Sequence, residues 1–96
     1  MLLICTIGFL YLAKEAFEHF PKACVNGNNI AIHQGKSVEE CAALCLDNSK
    51  CVAFEYYVDY GGRRPRPDGY CREQKSSNKD GCDGIVENCD LYVVKG

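Results

Sequence analysis

Apolar and polar residues alternate along much of the chain with the period of two that is typical of half-buried β-strands. Strands are predicted at residues 30–34, 51–60, 70–74 and 89–94. The second of these is the strongest candidate, because it is the richest in aromatic and β-branched side chains. Two polar stretches interrupt the pattern and predict exposed loops, at residues 61–69 and 75–88.

One helix of about ten residues is predicted from Val38 to Asp47, where alanine and leucine favour helical backbone. Ser37 lies just before this helix and Glu40 lies in its first turn. This is the spacing of a capping box, in which each side chain hydrogen-bonds the backbone of the other residue. A single helix among short strands predicts an α+β fold, with the helix packed on a small antiparallel sheet.

The stretch from Leu2 to Ala13 is almost wholly apolar. It is too short to cross a bilayer, which takes about 20 residues, but it fits the apolar core of a secretory signal peptide. We therefore predict a signal peptide over residues 1–16, with cleavage after Ala13 or Ala16 that removes Cys5. A buried helix of the mature fold, or a membrane anchor truncated at its start, is the alternative interpretation.

This leader implies a secreted, extracellular protein that does not insert into a membrane once the leader is removed. The remaining residues, 17–96, are predicted to form one domain with its core at 24–94. Eight cysteines among 96 residues predict a disulfide scaffold, which a domain of this size needs. The net charge of −2 argues against nucleic acid as a partner, because such binding requires a basic surface.

The segment SVEECAALCLDNSKCVAFEY, residues 37–56, resembles the central signature of the PAN/apple domain family. It combines a helix carrying Cys-x-x-x-Cys, a third cysteine and an aromatic-rich strand. A later cysteine follows at Tyr70-Cys71-Arg72, and the chain ends in a strand that contains tyrosine. The resemblance implies a helix cradled by a curved antiparallel sheet and stapled to it by disulfides. It also implies a module that binds proteins or carbohydrates and is not catalytic.

The resemblance further implies two disulfides, Cys41–Cys71 and Cys45–Cys51, and a third that joins Cys24 to Cys82 or to Cys89. We favour Cys24–Cys82, because Cys89 shares a strand face with apolar residues and suits a buried, inert thiol. The alternative, Cys24–Cys89, would leave Cys82 free to form an intermolecular bridge and a disulfide-linked dimer.

No catalytic residue, metal ligand set or cofactor is predicted. Cys41 and Cys45 have a zinc-like spacing but no second pair accompanies them, and no Cys-x-x-Cys redox motif occurs. His19 and His33 are the only histidines, and no serine lies in a nucleophile motif. The acidic residues of the second loop do not have calcium-loop spacing. We therefore expect that the protein is not an enzyme.

The basic loop at residues 61–69 is the candidate ligand surface. Guanidinium groups suit planar anions such as carboxylate and sulfate, and tyrosine beside arginine is typical of interaction hot spots. The candidate residues are Tyr57, Tyr60, Arg63, Arg64, Arg66 and Tyr70. A solvated loop tip is the alternative interpretation of the three arginines.

The sequence therefore favours a secreted, non-catalytic module that binds extracellular protein or carbohydrate. Two other hypotheses stay open: a structural component of an extracellular or mineralised matrix, cross-linked by the odd cysteine, and a venom or defence protein.

Overall fold

Seven short strands and a nine-residue helix form the fold in a computed structural model that describes residues 12–79, 82–83 and 87–96. Most of the predicted leader, with Cys5, lies outside the described residues. The strands are β1 (Phe17–Phe20), β2 (Ala23–Cys24), β3 (Asn29–His33), β4 (Ala53–Tyr57), β5 (Cys71–Gln74), β6 (Cys82–Asp83) and β7 (Cys89–Val94). The helix α1 (Val38–Leu46) lies between β3 and β4 in the chain.

Five of the strands form one antiparallel sheet in the order β1-β7-β4-β5-β3. The two-residue strands β2 and β6 pair separately, with Cys24 opposite Cys82. The central strand β4 is thus flanked on both sides, which explains why its first three residues are fully buried. The α+β fold class predicted from the sequence is confirmed.

The helix begins where the sequence predicts it, and the capping box is confirmed. The Ser37 hydroxyl accepts the Glu40 backbone N–H at 3.0 Å, and the Glu40 carboxylate accepts the Ser37 backbone N–H at 2.8 Å. Because these bonds stabilise the charged carboxylate, the pKa of Glu40 is lowered. The helix buries Cys41, Ala42 and Cys45 against the sheet.

The core is divided by the sheet. On the helix side, Phe54 packs edge-on against Phe17 and in parallel with Tyr92, at ring-centroid distances of 5.0 and 4.9 Å. On the opposite side a smaller cluster contains Val25, Ala53 and Leu91. Alternate residues of β4 therefore serve two different layers, as the period-two pattern predicts.

Five features differ from the sequence-based expectation. The strand predicted at 51–60 is shorter, and the one predicted at 70–74 begins at Cys71. The segment predicted as a loop at 75–88 contains β6, because Cys82 pairs with β2. Strand β1 was not predicted, since its alternation is brief and its partner β7 is distant in sequence. Residues 12–15 are helical, in addition to the one predicted helix.

The described end of the predicted leader packs on the domain. Ala13 is buried in the helix-side core, and the backbone N–H of Lys95 donates to the carbonyl of Ala16 at 2.9 Å. The leader itself and its cleavage site stay predictions.

Candidate functional site

The basic loop between β4 and β5 is fixed at its base by backbone hydrogen bonds. The N–H of Tyr57 donates to the carbonyl of Tyr70 at 2.9 Å, which joins the two ends of the loop. Near the second end, the N–H groups of Gly35 and Lys36 donate to Asp68 and Gly69, each at 3.1 Å. Gly69 has φ +69°, and a Cβ there would collide with the backbone of Lys36, so this anchor requires glycine.

Arginine and tyrosine of the loop stack on each other. The Arg66 guanidinium carbon lies 5.1 Å from the ring centroid of Tyr70, and that of Arg72 on β5 lies 6.0 Å from the same centroid. Both arginines therefore make cation–π contacts with one ring, which holds two positive charges close together. Arg63 and Arg64 are exposed on the same loop.

Arg64 and Arg72 also line a groove of about 290 Å³ beside the loop. The other lining residues are Val25, Asn26, Gly27, Asn29, Cys82 and Glu87. Arg64 lies 3.8 Å from the Glu87 carboxylate and keeps most of its side chain exposed. The groove thus offers two guanidinium groups, two asparagine amides and the carboxylate of Glu87. The guanidinium groups suit an anionic group of a ligand, and the amides and the carboxylate suit its hydroxyls.

Arg72 is held in place by a buried carboxylate. Its guanidinium lies 2.9 Å from the carboxylate of Glu55, which stands directly opposite it on β4 and is 2% exposed. Burial raises the pKa of Glu55, while Arg72 and the N–H of Val25 oppose that shift. The buried pair fixes the position of Arg72 at the groove.

Tyr60 is not part of this constellation. Its hydroxyl donates to the carboxylate of Asp90, which also accepts the backbone N–H of Lys22 at 2.9 Å and contacts Nε2 of His19 at 2.7 Å. Burial and the hydrogen bond to Asp90 raise the pKa of Tyr60 to about 12. Of the six candidate residues, Arg64 lines the groove, and Arg66 and Tyr70 stack on each other with Arg72 of the groove on the same ring. Tyr57 is the last residue of β4, Arg63 is exposed on the loop, and the Tyr60 hydroxyl is engaged by Asp90.

Four polar residues of the groove carry no signal of this role in the sequence: Asn26, Asn29, Arg72 and Glu87. In the sequence, the stretch Asn26-Gly27-Asn28-Asn29 indicates only a turn, and Glu87 lies in the predicted loop at residues 75–88. Arg72 lies between Cys71 and Glu73 without any local signal of its role. Only the register that sets it opposite Glu55 reveals that role, and register depends on tertiary structure.

The structure holds three disulfides, Cys24–Cys82, Cys41–Cys71 and Cys45–Cys51. The last two are the pairs that the resemblance implies, and the first is the pair favoured from the position of Cys89 on its strand. Among the described residues Cys89 is the free cysteine, and it is 3% exposed. This burial fits the prediction of an inert thiol, and the disulfide-linked dimer stays a prediction.

The described residues give little support to metal or catalytic chemistry. Cys24, Cys82 and Glu55 lie within 4.8 Å of one another, but the two sulfurs are joined in a disulfide and so are not thiolate ligands. Each histidine is hydrogen-bonded to a buried carboxylate, His19 to Asp90 and His33 to Glu73. In this part of the chain no helix has the length and apolar character needed to span a membrane.

Comparison with known proteins agrees with this architecture. The sequence model of the PAN domain matches residues 5–93, a range that begins within the predicted leader. No curated protein and no solved structure gave a significant match. Because the family match covers nearly the whole chain and the helix, sheet and disulfides fit it, the chain belongs to the PAN domain family.

Proposed function

We propose that this protein is a secreted, non-catalytic module of the extracellular space that binds carboxylate- or sulfate-bearing groups of carbohydrates or proteins. PAN domains generally bind protein or carbohydrate and are generally non-catalytic, and this one has the disulfides typical of extracellular proteins. The ligand surface is the loop at residues 57–70 together with the adjoining groove.

One observation carries the proposal: Arg66 and Arg72 contact the same tyrosine ring, and Arg72 and Arg64 line one groove. Arginines that are held in place bind a planar anion at a smaller entropic cost than freely rotating side chains do. The rigid base of the loop and the buried Glu55 carboxylate supply that restraint.

Replacing Arg63, Arg64 and Arg66 together with alanine is expected to weaken binding to heparin, used here as an anionic carbohydrate probe. We expect the variant to elute from a heparin column at lower salt and its dissociation constant to rise about tenfold or more, because three charge-assisted contacts are removed.

The control is Lys50→Ala combined with Lys95→Ala, which removes two exposed cations outside the loop. We expect this variant to elute close to the unmodified protein. Equal retention of the arginine variant and the unmodified protein, on heparin and on extracellular-matrix extract, would refute the anionic ligand. Equal loss in the lysine control would show that net charge alone governs retention.

A further inference from the structure

The buried thiol of Cys89 lies against the segment that carries the Cys24–Cys82 disulfide. Its Sγ is 3.4 Å from the carbonyl oxygen of Ala23, the residue before Cys24. The same Sγ is 3.9 Å from Oε2 of Glu55. That oxygen also accepts the N–H of Val25, the residue after Cys24, at 2.8 Å. Cys89 thus contacts, directly or through one carboxylate, the backbone on both sides of Cys24.

The disulfide surrounds the same carboxylate. The sulfurs of Cys24 and Cys82 and a carboxylate oxygen of Glu55 all lie within 4.8 Å of one another. Three cysteines are therefore gathered around Glu55, one as a thiol and two as a disulfide. Thiol–disulfide exchange requires a thiol that can reach a disulfide and a route for its proton. Here the Glu55 carboxylate lies 3.9 Å from the thiol and within 4.8 Å of both disulfide sulfurs, and the thiol contacts the residue that precedes Cys24.

We propose that the Cys89 thiol exchanges with the Cys24–Cys82 disulfide, which gives a Cys24–Cys89 disulfide and a free thiol at Cys82. In the ligand groove, this Cys82 thiol is a modification site that reacts with soft electrophiles and with disulfides of other molecules. Cys82 lines that groove and is partly exposed, whereas Cys89 is not a lining residue. The exchange therefore moves reactivity from the interior to the surface. It does not depend on the identity of the ligand.

The step is a transfer without net oxidation. The Cys89 thiol loses its proton to the Glu55 carboxylate or to hydroxide, and the sulfur lone pair forms a bond to Sγ of Cys24. The Cys24–Cys82 bond breaks and its electron pair leaves on Sγ of Cys82, which takes a proton from water. One thiol and one disulfide exist before and after, so no oxidant or reductant is consumed.

The charges around Cys89 make this exchange slow at neutral pH. Burial and the Glu55 carboxylate raise the pKa of Cys89 to about 12, with Glu87 and Asp90 acting in the same direction and Arg72 opposing them. The thiolate fraction therefore grows about tenfold for each pH unit below that value. The rate of exchange is expected to follow the same slope between about pH 8 and pH 10.

Trapping with iodoacetamide tests the exchange. The folded, non-reduced chain is labelled at alkaline pH, the reaction is quenched with acid, and the peptides are mapped without reductant. The expected product carries the label on Cys82 and a new Cys24–Cys89 disulfide, while Cys41–Cys71 and Cys45–Cys51 stay intact. Label on Cys89 with Cys24–Cys82 intact would overturn the proposal, as would an unlabelled Cys82 or scrambling of all three disulfides.

Two variants separate exchange from misfolding. Cys89→Ser keeps a similar side chain but no thiol, and we expect its Cys82 to stay unlabelled. Cys82→Ser leaves Cys24 and Cys89 as the two partners, and we expect them to form a disulfide in the folded protein. If Cys24 and Cys89 remain two thiols in a folded Cys82→Ser variant, the two sulfurs cannot meet and the proposal fails.

Discussion

Replacing both Cys41 and Cys71 with alanine is expected to lower the free energy of unfolding by about 4 kcal/mol. The disulfide spans 30 residues and joins α1 to β5, so it removes much conformational freedom from the unfolded chain. Both cysteines are fully buried in the helix-side core, so the loss of their sulfurs also reduces packing. Urea unfolding under non-reducing conditions measures the change.

The matched control is the alanine pair at Cys45 and Cys51, which spans only 6 residues. Its expected cost is about 2 kcal/mol, because a shorter closed loop restricts the unfolded chain less. A cost for the short loop that equals or exceeds the cost for the long one would contradict this account of stability.

Arg72→Ala is expected to lower the free energy of unfolding by about 3–5 kcal/mol at neutral pH, because the variant leaves the Glu55 carboxylate buried without its cation. Glu55 is 2% exposed and cannot reach water to recover its hydration. The control is Arg64→Ala, which removes an exposed partner at 3.8 Å from Glu87 and should cost less than about 1 kcal/mol.

The cost of Arg72→Ala should depend on pH in a defined direction. Burial raises the pKa of Glu55, so the folded state binds the proton of this carboxyl more tightly than the unfolded state does. The stability that comes from this proton is present at low pH and is lost as the pH rises through the raised pKa. Arg72 lowers the pKa of Glu55, so the Arg72→Ala variant should have a Glu55 pKa that is higher still. Urea midpoints should therefore show a smaller loss near pH 4 than near pH 7, and equal losses would contradict the assignment.

The elements that could be predicted from the sequence are those that interactions between neighbouring residues stabilise. The capping box at Ser37 and Glu40 fixed the start of the helix, because its two hydrogen bonds join residues three apart. The aromatic alternation around Phe54 likewise located strand β4. Two disulfide pairs are implied instead by the family resemblance, because spacing alone leaves many pairings open. The third, Cys24–Cys82, also needed the apolar strand face around Cys89 to choose it over Cys24–Cys89.

Features that depend on distant residues were not predictable. Strand β1 is defined by its pairing with β7, more than 70 residues later, and its short sequence carries little signal. The hydrogen bond from the Tyr60 hydroxyl to Asp90 likewise joins residues that are 30 positions apart, and the assignment of Tyr60 to the ligand surface stays a prediction. The groove escaped for the same reason, since it joins the turn at Asn26 and Asn29 to Arg72.

The basic loop and the groove are proposed to form one ligand surface on this PAN domain. An amide-resolved NMR titration of the full chain with a heparin-derived tetrasaccharide tests it most directly. The account predicts saturable shift changes at residues 26–29, 61–72 and 87, with little change along the exposed side of α1. Shift changes confined to α1 or to the β1 edge, or no saturable change at all, would contradict it.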